Sequence, residues 1–268
     1  MTTKPSRHGS RRQRLLRTCA ALGALTAAAA LAPGARAASI LTQTPQGTYA
    51  SNVLGGFSWT TFTGMVTASH TITQTADFSS LAQLQSYDAV WVDQELGNTL
   101  GAAEQSALTS YVSAGNKIVL IGENASWTAW NNSLMAIVGG SYTGTCSGAI
   151  GTPLVSNTLT AGVGSVQNLC GSVAIDNVGD IEMLFSNNMA AVYTVGLGEA
   201  LVILDSNWND NSYMANQNNA VFAANVVTWL GEPLASGPSE VPEPGMLATF
   251  GLGLGLLGFA RRQRARRA

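Results

Sequence analysis

Basic side chains are nearly missing from the middle of this chain. Residues 38–240 of the 268 hold one, Lys117, against fourteen Asp and Glu, a formal charge of −13. Nucleic-acid binding needs clustered Lys and Arg on the phosphates, so that class of partner is excluded for this stretch. The acidity suits a soluble protein bathed in cations outside the cell. It equally fits a plain polar surface built from Asn, Thr, Ser and Gln. Histidine is just as scarce, with His70 the only one beyond His8. A single His in a strand-like context is more often a bystander than a base. Cysteine is limited to Cys19, Cys146 and Cys170, and neither C-x-x-C nor G-x-S-x-G occurs, although Ser126 is present.

The missing cations are at the two ends. Lys4, Arg7, Arg11, Arg12, Arg14 and Arg17 precede an apolar run, CAALGALTAAAALA, at residues 19–32. Pro33 and Gly34 break it, and Ala35-Arg36-Ala37 gives the small-x-small pattern of a cleavage site. Residues 1–37 therefore read as a secretory signal removed after Ala37, with signal peptidase and the export machinery as partners. The stretch Ser10 to Leu16 resembles a twin-arginine signal, with Arg14 where an apolar residue is usual. Cys19 opens the apolar run instead of following the cleavage site, which argues against a lipid anchor.

At the other end, Val241-Pro242-Glu243-Pro244 precedes sixteen residues, 245–260, that are apolar or Gly apart from Thr249. Arg261, Arg262, Arg264, Arg266 and Arg267 follow. A sixteen-residue helix rises about 24 Å, a little under the ~30 Å hydrocarbon core, so it spans with local thinning or help from its flanks. The arginines resist translocation, which sets a single transmembrane helix with the tail inside and the rest outside. An ordinary C-terminal anchor would read the same way. The order of Pro-Glu-Pro, short helix and Arg-rich tail resembles the PEP-CTERM sorting signal. That resemblance implies recognition by exosortase, a membrane peptidase, then removal of the tail and release or transfer of the passenger. The prolines lack a donor and disfavour helix, which keeps the segment extended for such an enzyme.

Between these addresses, residues 38–231 read as one α/β domain, followed by a linker at 232–240. Ala89–Val92, Ile118–Ile121 and Ala200–Leu204 are continuous Val/Ile/Leu-rich runs, the pattern of parallel strands buried on both faces. Weaker strands are expected at 40–44, 70–75, 181–185 and 191–195. Helices are expected around Ala107, Leu108, Tyr111 and Val112 with a stop at Gly115, around Trp127, Trp130, Leu134 and Ile137, and around Phe222, Val226, Trp229 and Leu230. This alternation predicts a mostly parallel sheet with helices on both faces. Residues 140–175 break it as a Gly/Ser/Thr-rich insertion carrying Cys146 and Cys170. An even pair in an exported chain reads as a disulfide, closing a loop of about 25 residues for roughly 3 kcal/mol. A metal or redox pair fits less well, since the spacing is wrong and no His lies nearby.

Each strong strand runs into a polar cluster: Asp93-Gln94-Glu95, Glu123-Asn124 and Asp205-Ser206-Asn207-Trp208-Asn209-Asp210. Ligands of open α/β sheets sit beyond the carboxyl ends of the strands. Asp93, Glu95, Glu123, Asn124, Asp205 and Asn207 would hydrogen-bond hydroxyls, and Trp127 and Trp208 would stack on sugar rings. Strands must also exit into polar loops in any protein, so the clusters alone do not make a site. Asp205-x-Asn207-x-Asn209 resembles the front of a calcium loop, but Asp210 replaces its Gly and Asn216 its bidentate Glu. Gly196-x-Gly198 reads as a turn between strands. The order of elements over Tyr87–Asp93, Leu100–Asn124 and Tyr193–Leu230 resembles class I glutamine amidotransferase-like domains of the flavodoxin-like class. Active members carry G-x-C-x-G after a central strand, with a His base. This chain has Gly122-Glu123-Asn124-Ala125-Ser126 there, so amidotransferase activity is not implied.

The function expected from these residues is a non-enzymatic exported protein of the cell surface or exopolysaccharide matrix of a biofilm, binding polysaccharide and needing no cofactor. One alternative is a glycan hydrolase using paired strand-end carboxylates, which Glu123→Gln and Asp205→Asn would silence. Another is a structural spacer without a ligand.

Overall fold

A computed structural model describes residues 36–45, 51–93, 99–146, 148–174 and 180–234. Most of the leader, Glu95, and the linker and tail from residue 235 onward lie outside the described residues. No helix among the described residues is long and apolar enough to cross a membrane.

The expected strands form one seven-stranded sheet among the described residues. They are β1 (Ser39–Gln43), β2 (Thr71–Thr75), β3 (Ala89–Val92), β4 (Lys117–Ile121), β9 (Ile181–Met183), β10 (Ala190–Val195) and β11 (Gly198–Ile203). Their spatial order is β2-β1-β3-β4-β11-β10-β9. The first five run parallel. β10 and β9 continue antiparallel, and Gly196 at φ +62° makes the tight turn from β10 into β11. Every residue of β3 and β4 is buried, because helices cover both faces.

Side chains alternate between two apolar layers. Ile40, Trp91, Val119, Ile121, Leu201 and Ile203 pack with α1 (Thr60–Thr67) and α5 (Asn219–Gly231). Leu41, Val90, Val92, Ile118, Leu120 and Val202 pack with α2 (Leu81–Leu84), α3 (Ala102–Ser113) and α4 (Thr128–Val138). Helix α3 starts where the Glu104 carboxylate accepts from Gly101 N at 2.8 Å, and the chain turns away at Gly115 with φ +100°. Helix α1 was not expected. Its Thr-rich sequence has low helix propensity, but Trp59, Phe62 and Val66 fall on one buried side and the packing holds it.

The insertion is more ordered than its composition suggests. Strands β5 (Ser141–Cys146) and β8 (Cys170–Ala174) pair antiparallel, as do β6 (Ile150–Gly151) and β7 (Val166–Gln167). The β5–β8 register sets Cys146 opposite Cys170 after a shift that begins at Thr143. Asn219, fully buried, ties this region to α5. Its Oδ1 accepts from Gln167 N at 2.9 Å, and its Nδ2 donates to the carbonyls of Gln167, Trp208 and Tyr213.

The scarce cation and the lone imidazole both hold the fold at the amino edge of the sheet. Lys117 Nζ donates to the carbonyls of Trp229 (2.5 Å) and Glu232 (2.8 Å) at the end of α5 and lies 4.3 Å from the Trp229 ring centre. Burial pushes its pKa down to about 8, against the opposing pull of Glu199 and Glu232. His70 sits between the start of β1 and α5, with Nδ1 on Ala38 N and Nε2 on Val227 O.

Candidate functional site

β3, β4 and β11 are neighbours, so their carboxyl ends bring Asp93, Glu123 and Asp205 to one edge, as the sequence implied. The topology switches direction between β1 and β3, next to Asp93. What the sequence did not show is how deeply the carboxyls are engaged. Asp93 is fully buried, and its Oδ2 accepts from Leu54 N at 2.5 Å and Trp91 Nε1 at 3.0 Å. Glu123 is buried too. Its Oε1 accepts from Ser206 Oγ, and its Oε2 accepts from both Asn124 N (3.0 Å) and Asn124 Nδ2 (2.9 Å). Burial raises its pKa, and these hydrogen bonds oppose the rise. Asp205 Oδ1 accepts from Asn207 N (2.7 Å) and Nδ2 (2.8 Å), while Asp205 N donates to Asn168 Oδ1. The Asp93 and Glu123 carboxyls therefore staple strand ends to other loops, and the Asp205 carboxyl caps its own turn.

The turn after β4 has a steric reason for its glycine. A Cβ on Gly122 would lie 1.7 Å from Leu204 Cδ2 and 2.9 Å from Asn131 Oδ1. Asn131, on α4, closes the turn by accepting from Glu123 N (2.8 Å) and donating to Glu123 O (2.7 Å). Asn124 then caps a 3-10 turn, Ala125–Trp127, by accepting from Ser126 N at 3.0 Å. A strand–elbow–helix is thus present, with Asn124 at the elbow.

Three more residues belong to this edge: Ser206 and Asp210, which the strand-end cluster contained without a role assigned, and Tyr142, which the sequence did not single out. Tyr142 is raised to about 12 by burial, with further push from the Asp205 and Glu123 charges. Asp210, buried, accepts from Asn52 Nδ2 at 3.3 Å on both oxygens. Burial raises it to about 6; the nearby Trp59 indole opposes the shift and the Glu123 charge adds to it. Ser206, the clasp on Glu123, lies just after β11 and 83 positions along the chain from its partner.

The tryptophans part company. Trp127 is half-buried at the rim. Trp208 is not available for stacking on a sugar: it is 1% exposed and packs at 5.7 Å from Phe62 and 5.0 Å from Phe222. The polar letters around it conceal a 3-10 turn, Ser206–Asn209, that carries the indole inward. The Asp205-x-Asn207-x-Asn209 stretch forms an Asx-type cap on that turn, with both Asn207 nitrogens directed at Asp205 and Asn209 fully buried. No group of three His, Cys, Asp or Glu among the described residues is placed to hold a metal ion. Among the described residues at this edge, Ser126 is exposed and Asn124, Trp127 and Asn207 are half-buried.

Residues 240–267 match the PEP-CTERM protein-sorting motif. The motif implies export, recognition by the membrane protease exosortase and processing while anchored. No curated protein matches the chain. Among solved structures, the N-terminal domain of mmIFT52 is similar at TM-score 0.55 and 13% identity, covering 72% of this chain and 96% of that one. A cytoplasmic protein from Salmonella typhimurium LT2 gives 0.52 at 13% identity, with 72% and 100% covered. A ThuA-like protein from Bacteroides uniformis gives 0.50 at 16% identity, with 74% and 93% covered. These are likenesses of fold alone.

Proposed function

We propose that this exosortase-sorted extracellular protein carries a non-catalytic α/β domain whose carboxyl edge binds neutral polysaccharide of the surrounding matrix. The observation that carries the reading is a separation. Asn124 occupies the elbow at the carboxyl edge, whereas His70 sits at the amino edge, engaged at both ring nitrogens. One strand of five residues, about 17 Å, lies between the two edges. A nucleophile and its base must be in hydrogen-bond reach, and these positions are not. The strand-end carboxyls hold loops instead of facing solvent, which counts against the hydrolase alternative. The half-buried rim carries the Asn124 and Asn207 amides, the exposed Ser126 hydroxyl and the Trp127 ring, groups of the kind that suit sugar hydroxyls and ring planes. Its acidic setting disfavours uronic-acid polymers.

The processing half of this reading is tested by the C-terminal mass of the protein recovered outside the cell. A mass ending near Pro244 is expected; a full-length chain in the inner membrane of a host with active exosortase would refute it. The binding half is tested by retention of the recovered protein on immobilised host polysaccharide. Trp127→Ala should weaken retention about tenfold if one stacked ring is lost. No retention of the unmodified protein, or retention indifferent to Trp127, would count against it.

A further inference from the structure

The amino edge holds a cluster that the function above does not use. Ala38 is 2% exposed, yet it is the residue whose nitrogen leader removal would free. That nitrogen donates to His70 Nδ1 at 2.9 Å. His70 Nε2 faces the Val227 carbonyl at 2.8 Å, which only accepts, so Nε2 carries the hydrogen and Nδ1 presents its lone pair. The next residue is held by Asp88, whose Oδ2 accepts from Ser39 N (2.8 Å) and Ser39 Oγ (2.7 Å). The other oxygen, Oδ1, pairs with the Arg36 guanidinium at 2.9 Å, and Arg36 N donates to Gly231 O at 3.1 Å. A Cβ on Gly231 would lie 2.4 Å from Arg36 O and 3.1 Å from His70 Cε1, so α5, His70 and the chain before Ala38 meet at one point.

We propose that His70 Nδ1, the Asp88 carboxylate and the Gly231 carbonyl form a receptor for the α-ammonium group created at Ala38. The inference rests on the reading of residues 1–37 as a cleaved leader. Water adds across the Ala37–Ala38 amide; Ala37 departs with a carboxylate, and the Ala38 nitrogen takes up a proton. An α-amino group with an ordinary pKa near 8 is charged at neutral pH. A charge buried at this position needs partners. Departure of Arg36 releases two of them, Asp88 Oδ1 and Gly231 O, beside the His70 nitrogen already in place. The ammonium would thus keep His70 Nδ1 and gain two acceptors freed nearby, and one cation would replace another opposite Asp88. Lys117 does not compete, because its ammonium is committed to the carbonyls of Trp229 and Glu232.

The test uses the full chain, exported by a Gram-negative host and recovered in processed form. The N-terminal peptide is identified by mass, and its amine is acetylated with acetic anhydride in folded protein and in urea. The expected protein begins at Ala38, and its amine reacts at least about tenfold more slowly when folded. Asp88→Asn should remove most of that protection while leaving the circular dichroism spectrum native. His70→Asn serves the same purpose if the first variant does not fold. A chain beginning at Ala38 whose amine reacts equally fast folded and unfolded overturns the receptor but leaves the leader reading intact. A chain beginning elsewhere overturns both.

Discussion

Replacing Cys146 or Cys170 by Ser should destabilise the exported domain by an amount the strand register allows to be worked out. Residues directly opposite in an antiparallel pair have Cα atoms about 4.5 or 5.5 Å apart, and disulfides need about 4.4–6.8 Å. The register sets the two backbones opposite each other, which is where the proposed bond would form. The bond would close a loop of 25 residues containing β6 and β7. Chain-entropy reasoning gives roughly 3 kcal/mol for that loop. In a domain of this size each kcal/mol moves Tm by about 2–4 °C, so a loss of ~6–12 °C is expected. Thermal unfolding of the exported protein, its two single variants and the double variant measures it. The three variants should match one another and match the unmodified protein under reductant. Two free thiols by non-reducing mass mapping, or a Tm unmoved by reductant, would refute the reasoning.

Two further predictions concern pH. Lys117 has a folded pKa of about 8 against an ordinary 10.5, so between those values the unfolded chain holds a proton that the folded chain has lost. Stability should rise with pH across that window, and Lys117→Met should flatten the rise; urea midpoints at both ends of the window decide it, and parallel curves would refute it. Asp210 shifts the other way, from 3.8 to about 6, so the folded chain binds the extra proton and stability falls as pH rises through that range. Asp210→Asn should therefore resist denaturant better than the unmodified protein above pH 6, with the advantage fading toward pH 4; a variant equally weakened at both values would point to lost Asn52 contacts instead.

The strands of the main sheet were readable because burial on two faces leaves an unbroken apolar run, as in β3, β4 and β11. The amphipathic spacing of α3, α4 and α5 was readable for a related reason. Helix α1 was not, since Thr60, Thr61, Thr63 and Thr67 argue against helix and only Phe62 and Val66 reveal its buried side. The β5–β8 and β6–β7 ribbons lack apolar alternation, and their pairing depends on partners distant in sequence. At the candidate site the sequence supplied the strand-end acids but not their partners. Ser206 meets Glu123, Asn52 meets Asp210 and Leu54 meets Asp93 across separations that no local pattern encodes. The misplacement of Trp208 has the same origin, because a polar neighbourhood in sequence became an inward turn in space.

Both ends of the domain leave from one side. Arg36 and Gly231 are hydrogen-bonded to each other, and Lys117 at the foot of β4 grips the last carbonyls of α5. The chain therefore enters and leaves the domain at the edge opposite the β3–β4–β11 tips. The tips lie about one strand length, ~17 Å, from that point of entry and exit. Processing at either terminus would then act on the far end of the sheet from the rim and leave the rim's own contacts in place.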